Sequence, residues 1–153
     1  PKIIDFINNN YEELIKFDII LFSVNTNSIL DCMSTEGVRT LSHFYDKYPT
    51  IKVIKERLER TNINNVKGYK LYMGFGSSAY FISPKGAQLL TSMIFPFLGL
   101  PIKVPYVNDA LIPINHDVES NRYYSKINAL ICNPFLAYTP NIDSSTEFKI
   151  KNL

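Results

Sequence analysis

A side-chain-poor corner between two apolar runs constrains this chain most. In Leu71-Tyr72-Met73-Gly74-Phe75-Gly76-Ser77-Ser78-Ala79-Tyr80-Phe81-Ile82-Ser83-Pro84-Lys85-Gly86-Ala87-Gln88-Leu89-Leu90, an apolar segment meets a small-residue break, a second apolar segment and a helix start. Gly74, Gly76, Ser77 and Ser78 let the backbone turn sharply and come close to a ligand. Ala79 to Ile82 is short, apolar and aromatic, which predicts a buried strand. Ser83 suits a helix N-cap, and Pro84 falls at the first helical position, where its missing N–H does no harm. Ala87, Leu90 and Ile94 recur at helical spacing and predict an inward face. Read from physics alone, the unit serves either as core scaffold or as one wall of a binding site.

Strand and helix signals flank it on both sides. Ile3, Phe6, Ile7, Leu14 and Ile15 predict an amphipathic helix over 3–16, weakened in its middle by Asn8-Asn9-Asn10. Asp18 to Val24 is a continuous apolar run, as in a central strand covered on both faces, with Asp18 opening it. Asn25 to Val38 reads as a polar, irregular loop beyond that strand. Thr50 to Arg60 reads as a helix with Ile51, Ile54 and Leu58 inward and its charges solvated. Asn62 to Gly68 predicts a loop and Tyr69 to Met73 a strand. Asn108 is placed to cap a short helix ended by Pro113, and Lys126 to Ile131 alternates like a strand. His43, between Leu41-Ser42 and Phe44-Tyr45, reads as a packed residue.

Composition narrows the partners. The chain has 153 residues, 46% hydrophobic, with a net charge of +2 from 16 basic and 14 acidic side chains. That length reads as one domain or a fragment of one, with enough apolar residues for a packed core. The near-balance and the lack of basic runs give no argument for nucleic acid. No apolar stretch approaches the length of a membrane-spanning helix, and the first residues have no secretory apolar core. Cys32 and Cys132 lack metal-ligand spacing; they can close a disulfide or stand as two free thiols, the latter preferred for a cytoplasmic chain. No P-loop or nucleophile elbow is present, and the corner's G-x-G lacks the third glycine of a dinucleotide fingerprint.

Ser78-Ala79-Tyr80-Phe81-Ile82-Ser83-Pro84-Lys85-Gly86-Ala87-Gln88-Leu89-Leu90 resembles the A-Y-L-I-S-x-K-G-A-x-x-L-L signature of glycosyltransferase family 25. These are lipooligosaccharide-type sugar transferases, relatives of the collagen galactosyltransferases. Phe17-Asp18-Ile19-Ile20-Leu21 is similar to that family's D-I-I-L-L strand. Pro105 and Asp109-Ala110-Leu111-Ile112 resemble its P-x-D-x-x-L word, with one residue more between Pro105 and Asp109. Pro134-Phe135-Leu136-Ala137-Tyr138 resembles its late P-x-L-x-x-Q element, with Thr139 where Gln is usual.

The resemblance implies an α/β domain of the glycosyltransferase A type, a mixed sheet flanked by helices. It implies transfer of a hexose from a nucleotide-sugar donor to a glycan acceptor, assisted by a divalent cation, Mn or Mg. Asp109 is the expected catalytic residue, accepting the acceptor hydroxyl's proton. Gly76, Ser77, Ser78, Tyr80, Asn108 and His116 are the expected substrate-binding residues, and Tyr123, Tyr124 and Tyr138 are expected to be exposed for stacking on sugar faces. Family members carry an acidic E-D-D word shortly before the Asp18-type strand. Residues 1–17 have none, so the cation ligands are expected outside this chain, which reads as the C-terminal portion of such a domain and is not expected to turn over a nucleotide sugar alone. The implied location is cytoplasmic, with peripheral attachment at the inner membrane as its variant. A different class stays open: a non-catalytic carbohydrate- or partner-binding domain that keeps the scaffold.

Overall fold

A computed structural model of the chain describes residues 2–25, 29–43, 50–105, 110–113 and 115–139. The short strand β1 (Ile19–Leu21) is fully buried, although it lies next to an edge of its sheet. The apolar run has no polar side because both faces of β1 are covered. Ile19 and Leu21 pack with Leu90 and Ile94 of one helix, while Ile20 and Phe22 pack with Phe6 and Leu14 of another. Those helices are α1 (Lys2–Leu14) and, later in the chain, α3 (Pro84–Ile94). Phe6 and Phe22 meet edge to face at 6.1 Å, a favoured aromatic geometry. The Asn8-Asn9-Asn10 run does not break α1; the Asn10 amide instead donates to Phe6 O at 2.8 Å within the helix.

Six strands form one mixed sheet in the order β3-β2-β4-β8-β1-β5, and helices flank it, giving an α/β fold. β4 spans Lys67–Gly74, β5 Tyr80–Ile82 and β8 Ala129–Asn133. β1 and β8 are parallel and in register at Ile19↔Ala129 and Leu21↔Ile131; the other pairings are antiparallel. The second helix, α2 (Ile51–Arg60), is capped by Thr50. Lys2 Nζ donates to Leu58 O, Glu59 O and Thr61 O at 2.6–3.0 Å, placing a cation where the C-terminal carbonyls of α2 converge.

Several expectations are corrected. Part of the segment 25–38 is not loop: β2 (Ile29–Thr35) and β3 (Val38–His43) form a hairpin through Glu36-Gly37. Asp31 is fully buried on β2, and Arg39 across the hairpin grips it through two bonds of 2.8 and 2.5 Å. That pairing hides a strand whose polar letters read as a turn. β5 is an edge strand rather than a buried one, and Tyr80 is 50% exposed. Ala110–Leu111 is a strand, β7, paired with β6 (Ile102–Lys103), where a helix over 108–112 was expected. The last strand begins at Ala129, because 124–126 forms a 3-10 turn. Tyr123 and Tyr124 are buried, not exposed, since both belong to the α3-side core. The two cysteines are free thiols. Among the described residues, no helix is long and apolar enough to cross a membrane.

Candidate functional site

The corner at 75–78 is built from both sides. β4 delivers Gly74 into it, and β5 carries the chain away beside β1. Below it lies α4 (His116–Ser120), a short helix whose cap, Asn115, accepts from Val118 N at 3.0 Å. Side chains of this helical turn take up the corner's amides. Asp117 accepts from Gly76 N at 3.0 Å, Ser77 N at 3.1 Å and Ser77 Oγ at 2.7 Å. Asn121, itself buried, accepts from Gly74 N at 2.7 Å. A carboxylate holding consecutive backbone N–H groups is a charge-assisted arrangement, stronger than neutral hydrogen bonds.

The room left by Gly76 is therefore used by protein, not by open space. Gly76 has a φ of +73°, and a Cβ there would overlap the Asn25 side chain. Asn25 N in turn donates to Phe75 O at 3.0 Å. Ser78 Oγ pairs with Ser23 Oγ at 2.5 Å. Gly76 and Ser78 thus tie the corner to the loop after β1, and Ser77 is the corner residue that faces a cavity.

That cavity is a cleft of about 380 Å³ between α3 and α4, within the range of small-molecule sites. It brings together Ser77, Tyr80 and His116, three of the expected substrate-binding residues, with Asp117, Thr91 and Tyr124. Ile19, Ile82, Leu90 and Ile94 form its apolar floor. Tyr124 OH lies 3.5 Å from Ser77 Oγ. Burial pushes the Tyr124 phenol up to about 12, with hydrogen bonds from Ser77 and Ser120 pulling the other way. It therefore remains a neutral hydroxyl at physiological pH. The cleft offers hydroxyls, one imidazole and one half-exposed aromatic ring over apolar ground, a combination suited to a polyhydroxylated ring. Asn108 and Asp109 lie outside the described residues.

Asp117 and Thr91 were missed from sequence, and Tyr124 was expected as an exposed stacking ring where it is a buried hydroxyl. Asp117 had a readable signal, an acid one residue into a helix capped by Asn115. Thr91 had none, because only the packing of α3 against α4 brings it to the cavity. Asp117→Ala is expected to cost about 2–3 kcal/mol, since it strands two partly buried amides. Urea unfolding measures this; a change within about 0.5 kcal/mol would show that the corner holds its shape without the carboxylate.

The described residues do not fit a divalent cation. No group of three or more His, Cys, Asp or Glu among them stands together as ligands. His116 and Asp117 are adjacent, but both Asp117 oxygens are engaged by the corner. A larger hollow, about 410 Å³, opens beyond the carboxyl ends of β1 and β8, lined by Asn25, Asn133, Arg57 and Tyr138 among others. Of the residues expected to contact a sugar, it contains Tyr138.

Comparison with protein families, with characterised proteins and with solved structures finds no match to this chain.

Proposed function

We propose that the chain is the sugar-binding portion of a nucleotide-sugar-dependent hexosyltransferase of the family 25 type, with a glycosyltransferase A sheet. One observation carries this reading: Ser77 and Tyr80 of the corner share one cleft of about 380 Å³ with His116, which is distant in sequence. Tyr80 offers a face for a sugar ring to stack on, and Ser77, Thr91 and Tyr124 offer hydroxyl partners for its oxygens. Two words of the resemblance also interlock. Gly86, from K-G-A, lies where a Cβ would overlap Asp18 O, from D-I-I-L. That glycine is physically required by the close packing of α3 on the start of β1.

In this reading the acceptor hydroxyl loses its proton to Asp109 as its oxygen bonds to the anomeric carbon, and the bond from that carbon to the donor's phosphate oxygen breaks, releasing the nucleoside diphosphate. In a full-length protein that carries the cation ligands, Asp109→Asn then lowers transfer by about a hundredfold or more. A divalent cation would then be held by residues outside this chain and would neutralise the donor's diphosphate. Tyr80→Ala and His116→Ala are each expected to weaken glycan or hexose binding about tenfold, with little effect on folding, because Tyr80 is half-exposed and His116 is exposed. Titration calorimetry with nucleotide sugars and candidate oligosaccharides measures this. Ligand binding that ignores both substitutions would move the sugar site elsewhere, and no binding of any sugar would end the proposal.

The second reading is a non-catalytic carbohydrate-binding domain that keeps the scaffold, in which the same cleft binds a sugar without transferring it. Sugar binding without transfer, in the presence of manganese and a competent donor, selects this reading.

A further inference from the structure

We propose that the hollow of about 410 Å³ is a second ligand site, for a small hydroxylated aromatic carboxylate whose acid group lies at Arg57. Its volume falls in the range of small-molecule sites. Among the described residues it shares no lining side chain with the cleft between α3 and α4. The proposal does not rest on the sugar-transfer reading.

The floor is one face of the sheet. Leu30↔Ser42 and Cys32↔Thr40 are cross-strand pairs of β2 and β3, and Tyr69↔Ile131 is a pair of β4 and β8. Paired residues project to the same side, so apolar ground at Tyr69 and Ile131 is bordered by a row of hydroxyls. Ser34 Oγ and Thr40 Oγ1 are paired at 2.7 Å, and their oxygens keep acceptor capacity for a ligand hydroxyl. The facing wall is aromatic and ends in a cation. Leu136 N donates to Phe22 O at 3.0 Å, which fixes the segment after β8. The Phe135 and Tyr138 rings of that segment stand 5.9 Å apart and 59° tilted, an arrangement that can receive a third ring at its edge or face. The Arg57 guanidinium lies 5.8 Å over the Tyr138 ring.

Charge decides the class of ligand. Arg57 is the one charged side chain lining the hollow among the described residues, and no carboxylate shares that lining. Its field reaches inward, where it opposes the upward push of burial on the Tyr138 phenol. A planar guanidinium matches the two oxygens of a carboxylate. One guanidinium balances one negative charge, which favours a carboxylate over a doubly charged phosphate. The hydroxyls of β2 lie two strand spacings from β8, about 10 Å. A single ring with its acid at Arg57 and a hydroxyl at its far end reaches both.

The test is titration calorimetry of the purified chain with para-hydroxyphenylacetate and with its neutral amide. The acid is expected to bind, and the amide to bind about tenfold or more weakly. Arg57→Gln is expected to weaken the acid by that factor and to leave the amide unchanged. Arg57 is exposed, so circular dichroism should show an unchanged fold. Bound acid is also expected to slow alkylation of the Cys32 thiol, which lines the hollow, while His116→Ala, in the other cleft, leaves the acid's affinity as it was. No binding of the acid, equal affinity for acid and amide, or an Arg57→Gln variant that binds like the wild type overturns the proposal. So does displacement of the acid by uridine diphosphate, which would make the hollow a nucleotide pocket. Loss of binding on His116→Ala also overturns it, by moving the acid to the cleft.

Discussion

Gly86→Ala is expected to leave the chain unfolded or near its unfolding threshold. The expectation runs against helix propensity, because alanine in place of glycine inside a helix ordinarily stabilises by about 1 kcal/mol. Here a Cβ would overlap the backbone carbonyl of Asp18. A backbone atom cannot rotate away as a side chain can, and Asp18 is fixed three times. Its carbonyl accepts from Ser83 N at 3.2 Å, its Oδ2 accepts from Asn128 N at 2.8 Å, and the residue is buried. Relief therefore requires α3 to lift from the start of β1, opening the core that Leu90 and Ile94 share with Ile19 and Leu21. The expected loss is above about 3 kcal/mol, a large share of the stability of a small domain. Urea unfolding decides it, with Gln88→Gly on the exposed side of the same helix as the comparison. A midpoint for Gly86→Ala at or above that of the wild type would show that α3 does not pack this closely on β1.

The second large effect is alkaline. Burial pushes the Cys132 thiol up to about 12 from 9.0, and the Tyr124 phenol up to about 12 from 10.0. Both groups hold their protons more tightly folded than unfolded. Their contribution is therefore complete below about pH 9 and is lost as pH rises through about 12. Each accounts for on the order of 3 kcal/mol across that window. The expected result is a stability that is level near neutrality and falls steeply above about pH 9. Cys132→Ala with Tyr124→Phe should flatten much of that fall, at some cost in stability at neutral pH. An equally steep fall in the double variant would assign the alkaline sensitivity to other groups.

What was legible in the sequence followed from strong local chemistry. Ser83-Pro84 marked the start of α3, and the structure shows Ser83 Oγ accepting from Gly86 N at 3.0 Å. The unbroken apolar run at 19–22 marked a strand covered on both faces. What was not legible depended on partners distant in sequence. Asp31 looked like a loop residue because its compensating cation, Arg39, sits across a hairpin. Tyr123 and Tyr124 looked like surface aromatics because nothing local shows the sheet face that covers them. At the corner, residue types correctly indicated a tight turn. They were silent on what fills the space, which is Asn25 on one side and Asp117 below.

The sheet's strand order also dictates when the molecule can exist. β8 lies between β4 and β1, so the pair β1–β5 and the group β3-β2-β4 meet only through the last strand of the sheet. Ile19 waits for Ala129 before its parallel ladder can form. During synthesis, the nascent chain carries two incomplete half-sheets with open inner edges until residues 129–133 have left the ribosome. A chain stopped short of Asn133 is thus expected to be a client of chaperones rather than a smaller working protein.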